Sequence, residues 1–296
     1  MTTETYIRLN RGLFFELWQS LLRARQARAA AQVVHWRTSL AYAQILECYG
    51  IPWRDKELLE IGCGQKLAYT LSFSQRNKVT AIDTEPPFHR PYLRSAVDLL
   101  RFAGPYRTLK TFANTLLGTR RAFKRQLSAV TDFHGSYDVR LLRMNSLALD
   151  FPADCFDGVF SFSVFEHISD PRQALQEVKR VLKPGGVFYL DLHLYTAIAG
   201  DHDPRWSGAA VAMKPWKHLR PSCQAARIET CYLNKVRLSQ WRRMLEETFD
   251  SIHFRTIEGE SERCRPHLTD EIRGELADYA EEELLTTTVI AVAKKT

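Results

Sequence analysis

Short apolar runs alternate with helix-period stretches through the middle of this chain. Runs at 57–61 (ELLEI), 78–83 (KVTAID), 139–144 (VRLLRM), 157–163 (DGVFSFS) and 187–192 (VFYLDL) have the length and composition of strands. Between the last two, 171–182 (PRQALQEVKRVL) carries apolar residues at helical spacing, and Pro184-Gly185-Gly186 is expected to end it. Strands alternating with helices predict a parallel sheet covered on both faces. Upstream, Leu13, Phe14, Leu17, Trp18 and Leu21 recur at helical spacing, and a second helix is expected over about 39–49, stopped by Gly50-Ile51-Pro52. The tail behaves differently. A helix over 238–249 precedes strand-like runs at 251–257 and 286–293, which are expected to pair as a hairpin with a long excursion between them.

One connection does not fit this pattern, because far more chain separates Asp83 from Val139 than a crossover helix needs. The excess has helical patterns of its own, over 92–102 and 109–127, and it changes what the net charge means. The 296 residues carry a formal charge of +7, yet 86–131 alone holds Arg90, Arg94, Arg101, Arg107, Lys110, Arg120, Arg121, Lys124 and Arg125 against a single acid, Asp98. The basicity belongs to one inserted segment. It reads as a solvated helical lid, as an electrostatic surface for an acidic acceptor such as a sugar phosphate or lipid-linked saccharide, or as a nucleic-acid surface. Nucleic acid is the least supported, since no RNA-binding module or aromatic stacking motif accompanies the charge. Leu93, Val97, Leu100, Phe112, Leu116, Leu117 and Phe123 would let such helices lie on a bilayer.

Composition excludes several classes. A hydrophobic fraction of 45% and a charged fraction of 25% suit a globular chain, and no uncharged apolar run approaches a membrane span. The N-terminus lacks the pattern of a secretory signal. Six scattered cysteines (Cys48, Cys63, Cys155, Cys223, Cys231, Cys264) match neither a zinc pattern nor a disulfide framework, so a cytoplasmic location is expected.

The stretch LLEIGCGQKL joins a strand to a helix through Gly62-Cys63-Gly64, a turn that lets a nucleotide approach the backbone. Asp83 ends the next strand, where an acid can accept from ribose hydroxyls. Glu60 would repel a pyrophosphate, and Leu67 occupies the place of a dinucleotide fingerprint's third glycine. An adenosine with a cationic tail fits better than a dinucleotide, and the absence of a Walker motif excludes a P-loop.

LLEIGCG, VTAID, NSLALDFPADCFDGVFSFSVFEHI and LKPGGVFYLD, in that order, resemble the successive motifs of class I S-adenosylmethionine-dependent methyltransferases, most closely those acting on small molecules. The resemblance implies an α/β fold: a Rossmann-like seven-stranded sheet, mostly parallel with an antiparallel last strand, helices on both faces, and helical N-terminal and inserted caps. Residues 1–50 would form the N-terminal cap and 51–296 the methyltransferase domain, with the insertion at about 86–131 and an acceptor-binding segment at about 193–235. It also implies that Glu60, Gly62, Cys63 and Gly64 hold the methionine end of S-adenosylmethionine, Asp83 the ribose, and Asn145 and Ser146 the adenine. Ser161 and Phe162 would line the floor beside the methyl group. Lys66 stands where the family commonly has a third loop glycine.

Base candidates should lie at the carboxyl ends of the strands. The segment HLYTAIAGDHDPRW offers His193 and His202 as bases, with Tyr195 and Trp206 as acceptor walls and His218 shortly after. His167, beside Glu166, is expected to shape the pocket. The spacing of His193 and His202 is not a recognised metal pattern, so no metal is expected. The expected activity is O-methylation of a small-molecule or glycan-type acceptor, either anionic or lipid-linked, with peripheral membrane contact through 86–131. The rival readings are a tRNA or rRNA methyltransferase and a non-catalytic cofactor-binding regulator.

Overall fold

The computed structural model describes residues 26–85, 97, 100–101, 108, 111, 118–203, 214–226 and 231–296. The expected helix around Leu13 to Leu21, most of 86–117 and Trp206 lie outside them.

Seven strands form one sheet: β1 (Glu57–Ile61), β2 (Lys78–Asp83), β3 (Val139–Arg143), β4 (Phe156–Phe162), β5 (Leu182–His193), β6 (Ser251–Thr256) and β7 (Thr288–Lys294). Their order is β3-β2-β1-β4-β5-β7-β6. The first five run parallel, whereas β7 pairs antiparallel with both β5 and β6. The expected fold is present, including the late hairpin.

Alternation along the strands builds two cores. Leu59, Ile61, Phe188, Leu190, Leu192, Ala291 and Ala293 face α4 (Pro171–Val181) and α5 (Leu238–Thr248) on one side of the sheet. Leu58, Val187, Tyr189, Ile290 and Val292 face the other side, with α1 (Ala27–Tyr49), α2 (Ala68–Phe73) and α3 (Thr119–Thr131). Strands covered on both faces have no polar side to expose, which is why their sequences read as continuous apolar runs.

Three boundaries depart from expectation. α1 begins at Ala27 and not near residue 39, because Ala27, Ala31, Val34, Thr38, Ala41 and Ile45 keep one face buried throughout. It ends at Gly50, whose left-handed φ of 66° turns its amide back to Leu46 O. α4 starts cleanly, with Asp170 accepting from the Gln173 amide and Pro171 in the first turn. It stops at Val181, before Pro184-Gly185-Gly186. Leu182 already pairs with Phe156, so β5 starts earlier than the apolar run and contains the glycines.

A third apolar cluster sits beyond the sheet. Trp216 and Leu219 pack with Cys264, Leu268, Ile272, Leu276, Leu284 and Leu285. These come from the segment after β5 and from the excursion between β6 and β7, which contains α6 (Glu260–Cys264), α7 (Asp270–Glu275) and α8 (Glu281–Leu285). His193 pairs with Thr288, so both segments leave the sheet at the carboxyl end of β5.

Of the basic insertion, α3 is described. Phe123 and Leu127 are buried against α1 and the sheet, while Arg121, Lys124 and Arg125 are exposed. Phe123 is therefore core and is not available to a bilayer, whereas Val97 and Leu100 are exposed. No helix among the described residues is long and apolar enough to cross a membrane.

Candidate active site

The strand order reverses between β1 and β4, which is where open parallel sheets bind ligands. After Ile61 the chain turns through Gly62 at φ 81°, and the amides of Gly62 and Cys63 donate to Ile82 O at 2.9 and 3.1 Å. A Cβ on Gly62 would lie 2.3 Å from Val164 Cγ2, so the loop backbone presses on the turn after β4. Gly64, at φ 56°, has open space on its side-chain side, and its amide donates to Asp83 Oδ2 at 2.8 Å. Asp83 Oδ1 accepts from the Glu85 amide at 2.9 Å. Asp83 thus fixes the loop and keeps lone pairs for further hydroxyl donors. Leu67 is buried and left-handed at φ 55° just before α2, so the chain keeps a glycine-like turn there without a glycine. Arg120 of α3 donates to Gln65 O and ties the insertion to the loop.

Glu60 is 2% exposed and accepts from the Thr70 hydroxyl. Burial pushes its pKa up to about 8, with the Thr70 bond opposing and Asp83 adding to the rise. A carboxyl so placed is neutral at pH 7 until a cation stands beside it. The loop therefore fits a ligand with a cationic tail, beside which the carboxyl would ionise. Cys63 is buried, and burial followed by the charges of Glu60 and Asp83 raises its thiol pKa, so it is no nucleophile.

The remaining cofactor candidates lie in different settings. Asn145 is exposed and its Oδ1 accepts from the Leu147 amide at 3.0 Å, while Ser146 is buried. Phe162 stacks on Tyr69, with centroids 3.8 Å apart and 7° between planes. Ser161 is fully buried and donates to Ile61 O at 3.0 Å, so its hydroxyl bonds inside the sheet. Ser161→Ala should cost about 1 kcal/mol of stability in denaturant titrations. It should leave cofactor affinity within about twofold by calorimetry.

A second group of side chains gathers at the ends of β4 and β5. The 3₁₀ turn Phe165–His167 is clamped by Asn234, whose Nδ2 donates to Phe165 O and Ile168 O at 2.8 and 3.0 Å. His193 Nδ1 and His202 Nε2 share a hydrogen bond of 2.8 Å, and His202 Nε2 lies 4.0 Å from Glu166 Oε1. Burial, then Arg37 and the neighbouring histidines, lowers His193 to about 4, and burial with His193 lowers His202 to about 3. Burial, with Asp191 adding, raises Glu166 to about 8. Both directions make the Glu166–His202 contact a neutral one at pH 7.

Asp191 is 1% exposed and is reached by Arg37 Nη1 at 3.6 Å, and Arg37 also donates to the Tyr69 hydroxyl at 3.3 Å. His167 Nδ1–H donates to Tyr232 O at 2.8 Å, and its ring stands 5.0 Å from that of His202. His218 donates to Tyr195 O at 2.6 Å and packs on the Tyr195 ring, so these two hold the segment after β5 together. Lys217, buried between Asp201 (2.9 Å) and Asp203, pins the same segment.

Sequence reasoning missed Arg37, Tyr69, Thr70, Asp191 and Asn234. Asp191 had a signal, a charge inside the apolar run VFYLDL, of the kind that drew attention to Glu60 in ELLEI. Arg37 had none, because one arginine among several on a helix does not disclose where the helix docks.

Residues 109–190 match the family described as "Methyltransferase domain". Thiol S-methyltransferase TMT1B of Rattus norvegicus is 23% identical over 210 residues, covering 68% of each chain. Among solved structures, a chain from the complex of the Haloferax volcanii Trm112 methyltransferase activator with a methyltransferase is 15% identical, with TM-score 0.47 over 93% of this chain and 95% of that one. Haemonchus contortus phosphoethanolamine N-methyltransferase 2, solved with S-adenosyl-L-methionine, is 17% identical, with TM-score 0.48 over 88% of this chain and 53% of that one.

Proposed function

We propose that this chain, a class I S-adenosylmethionine-dependent methyltransferase, methylates a hydroxyl oxygen on a small-molecule or glycan-type acceptor. The enzyme class follows from the matched domain, the sheet order and the Glu60–Gly62–Asp83 loop. The acceptor is our inference. Its main support is the placement of His193, His202 and Glu166 at the ends of β4 and β5, against the turn on which Gly62 rests.

When bound, S-adenosylmethionine supplies a methyl group activated on a sulfonium. Glu60, Gly62, Cys63 and Gly64 would hold its methionine end, Asp83 its ribose, and Asn145 with Ser146 its adenine. The chain's remaining task is to orient the acceptor, exclude water and remove one proton. Neutral imidazoles at His193 and His202 can accept that proton. Glu166 and Asp191 are nearly inaccessible, which suits a small acceptor entering a closed site better than a nucleic-acid strand lying on a surface. The exposed Arg121, Lys124 and Arg125 of α3, the helix that Arg120 ties to the loop, favour an acceptor carrying phosphate or carboxylate.

The test is transfer of labelled methyl to a panel of nucleotide sugars, lipid-linked saccharides, small alcohols, thiols and bulk RNA. We expect label on a hydroxyl acceptor. His202→Ala should lower turnover about a hundredfold while S-adenosylhomocysteine still binds. Label on thiols alone, the acceptor class in the rat relative's name, would move the reaction from oxygen to sulfur. Salt-sensitive methylation of RNA alone would sink the small-acceptor reading.

A further inference from the structure

Proton transfer leaves one feature of this group unexplained. Glu166 is 2% exposed, and neither of its carboxylate oxygens has a hydrogen-bond partner. The backbone amides of Glu166 and His193 lie close enough to favour its anion without closing a bond. A buried carboxyl left in that condition costs stability unless something else completes it.

What stands around Glu166 is a set of metal-ligand atoms. The donor atoms of Glu166, His193 and His202 all lie within 4.8 Å of one another. Three donors held about 2.0–2.2 Å from a tetrahedral ion are themselves about 3.3 Å apart. The 2.8 Å from His193 Nδ1 to His202 Nε2 and the 4.0 Å from His202 Nε2 to Glu166 Oε1 fall on either side of that edge. Small side-chain shifts would close the site. His202 is held there at a left-handed φ of 52°, a backbone setting that a non-glycine residue keeps at a cost.

The donors come from three places in the chain: the 3₁₀ turn after β4, the last residue of β5 and the loop beyond it. Linear spacing could not disclose them together. We propose that Glu166, His193 and His202 bind one divalent cation of borderline softness, such as Zn²⁺ or Co²⁺, with a coordination position left open for the acceptor oxygen. Two imidazoles and one carboxylate form the three-ligand set of a catalytic zinc-type centre, whereas Mg²⁺ and Ca²⁺ prefer oxygen alone. His167 adds support from outside the set. Its Nδ1–H is engaged by Tyr232 O, which leaves Nε2 as the lone-pair nitrogen, and His167, His202 and Cys231 form a second group within 4.8 Å. The open coordination position, though not the cation site itself, rests on the reading that the acceptor enters here. With the cation bound, the imidazole lone pairs would serve as ligands, and the polarised acceptor hydroxyl would lose its proton to water in place of a histidine.

The experiment titrates the untagged full-length chain, stripped with chelator, with Co²⁺ alone, followed by visible absorption and calorimetry. One Co²⁺ per chain is expected, displaceable by Zn²⁺. Glu166→Gln and His202→Ala should each weaken binding at least about tenfold, and His253→Ala, exposed on β6, should not. Circular dichroism checks that each variant is folded. Equal binding by the parent and Glu166→Gln overturns the proposal, as does Co²⁺ uptake lost only in Cys231→Ala. Co²⁺ binding without methylation of any hydroxyl acceptor supports the cation site and sinks the acceptor reading. Hydroxyl methylation that is undiminished in chelator, with no Co²⁺ bound, does the reverse.

Discussion

A Gly62→Ala chain should bind S-adenosylhomocysteine on the order of a hundredfold more weakly than the parent, a difference of about 2.8 kcal/mol. Two effects combine. The backbone at φ 81° is one that alanine adopts at a cost, and the new methyl would stand 2.3 Å and 2.5 Å from the two γ carbons of Val164. Neither the loop nor the turn after β4 can yield freely. The Gly62 amide is bonded to Ile82 O, and the turn is clamped by Asn234 a few residues on. The double variant Gly62→Ala with Val164→Ala separates the causes. It removes both γ contacts and leaves the backbone term with the 2.9 Å approach to Val164 Cβ, so it should recover part of the affinity and part of the thermal stability. Unchanged calorimetric affinity in Gly62→Ala alone would show that the ligand does not touch this loop.

Replacement of Glu60 by glutamine should weaken cofactor binding about ten- to a hundredfold, with the larger effect above pH 8. The reason lies in the apo protein. Glu60 has a folded pKa of about 8, above its ordinary value, because it is buried. Between roughly pH 4.5 and pH 8 the folded chain therefore holds one more proton at this site than the unfolded chain. Its contribution to stability is greatest below that window, falls as pH rises through it, and is flat above. The loss is on the order of a few kcal/mol. Glu60→Gln removes that slope, so the apo variant should unfold later than the parent at pH 8 to 9 while binding the cofactor less well. Thermal melts across pH, with and without S-adenosylhomocysteine, read both effects. A parent whose apo stability does not fall across this window would contradict the buried-acid account.

These two residues also mark what could be read from the chain beforehand. Gly62, Gly64, Glu60 and Asp83 are local in character: a turn that needs glycine, and acids at strand ends where an apolar run forbids them without purpose. Short-range chemistry places such residues, so the loop was legible. The sheet was legible for a similar reason, since alternation between strand and helix leaves few topologies open. The acceptor side was only half legible. His193 and His202 stood out as polar residues just past a strand, but their contact with Glu166 depends on how the turn after β4 folds toward the end of β5. Arg37 reaches Asp191 because α1 lies across the sheet, and no pattern within α1 announces that. Ser161 shows a limit of another kind. The resemblance places it on the floor beside the methyl group, but no sequence pattern tells where its hydroxyl bonds, and on a buried strand it finds the nearest carbonyl.

The last strand has a consequence for how the chain is made. β7 lies between β5 and β6 and pairs Thr288 with His193. β7 follows both in the chain, so during synthesis β5 keeps one edge unpaired and β6 has no neighbour to join until β7 emerges. Two hydrogen-bonding edges and the apolar faces beside them therefore stay open together while the excursion between β6 and β7 is made. The end of β5 that carries His193 gains its second neighbour only when β7 docks.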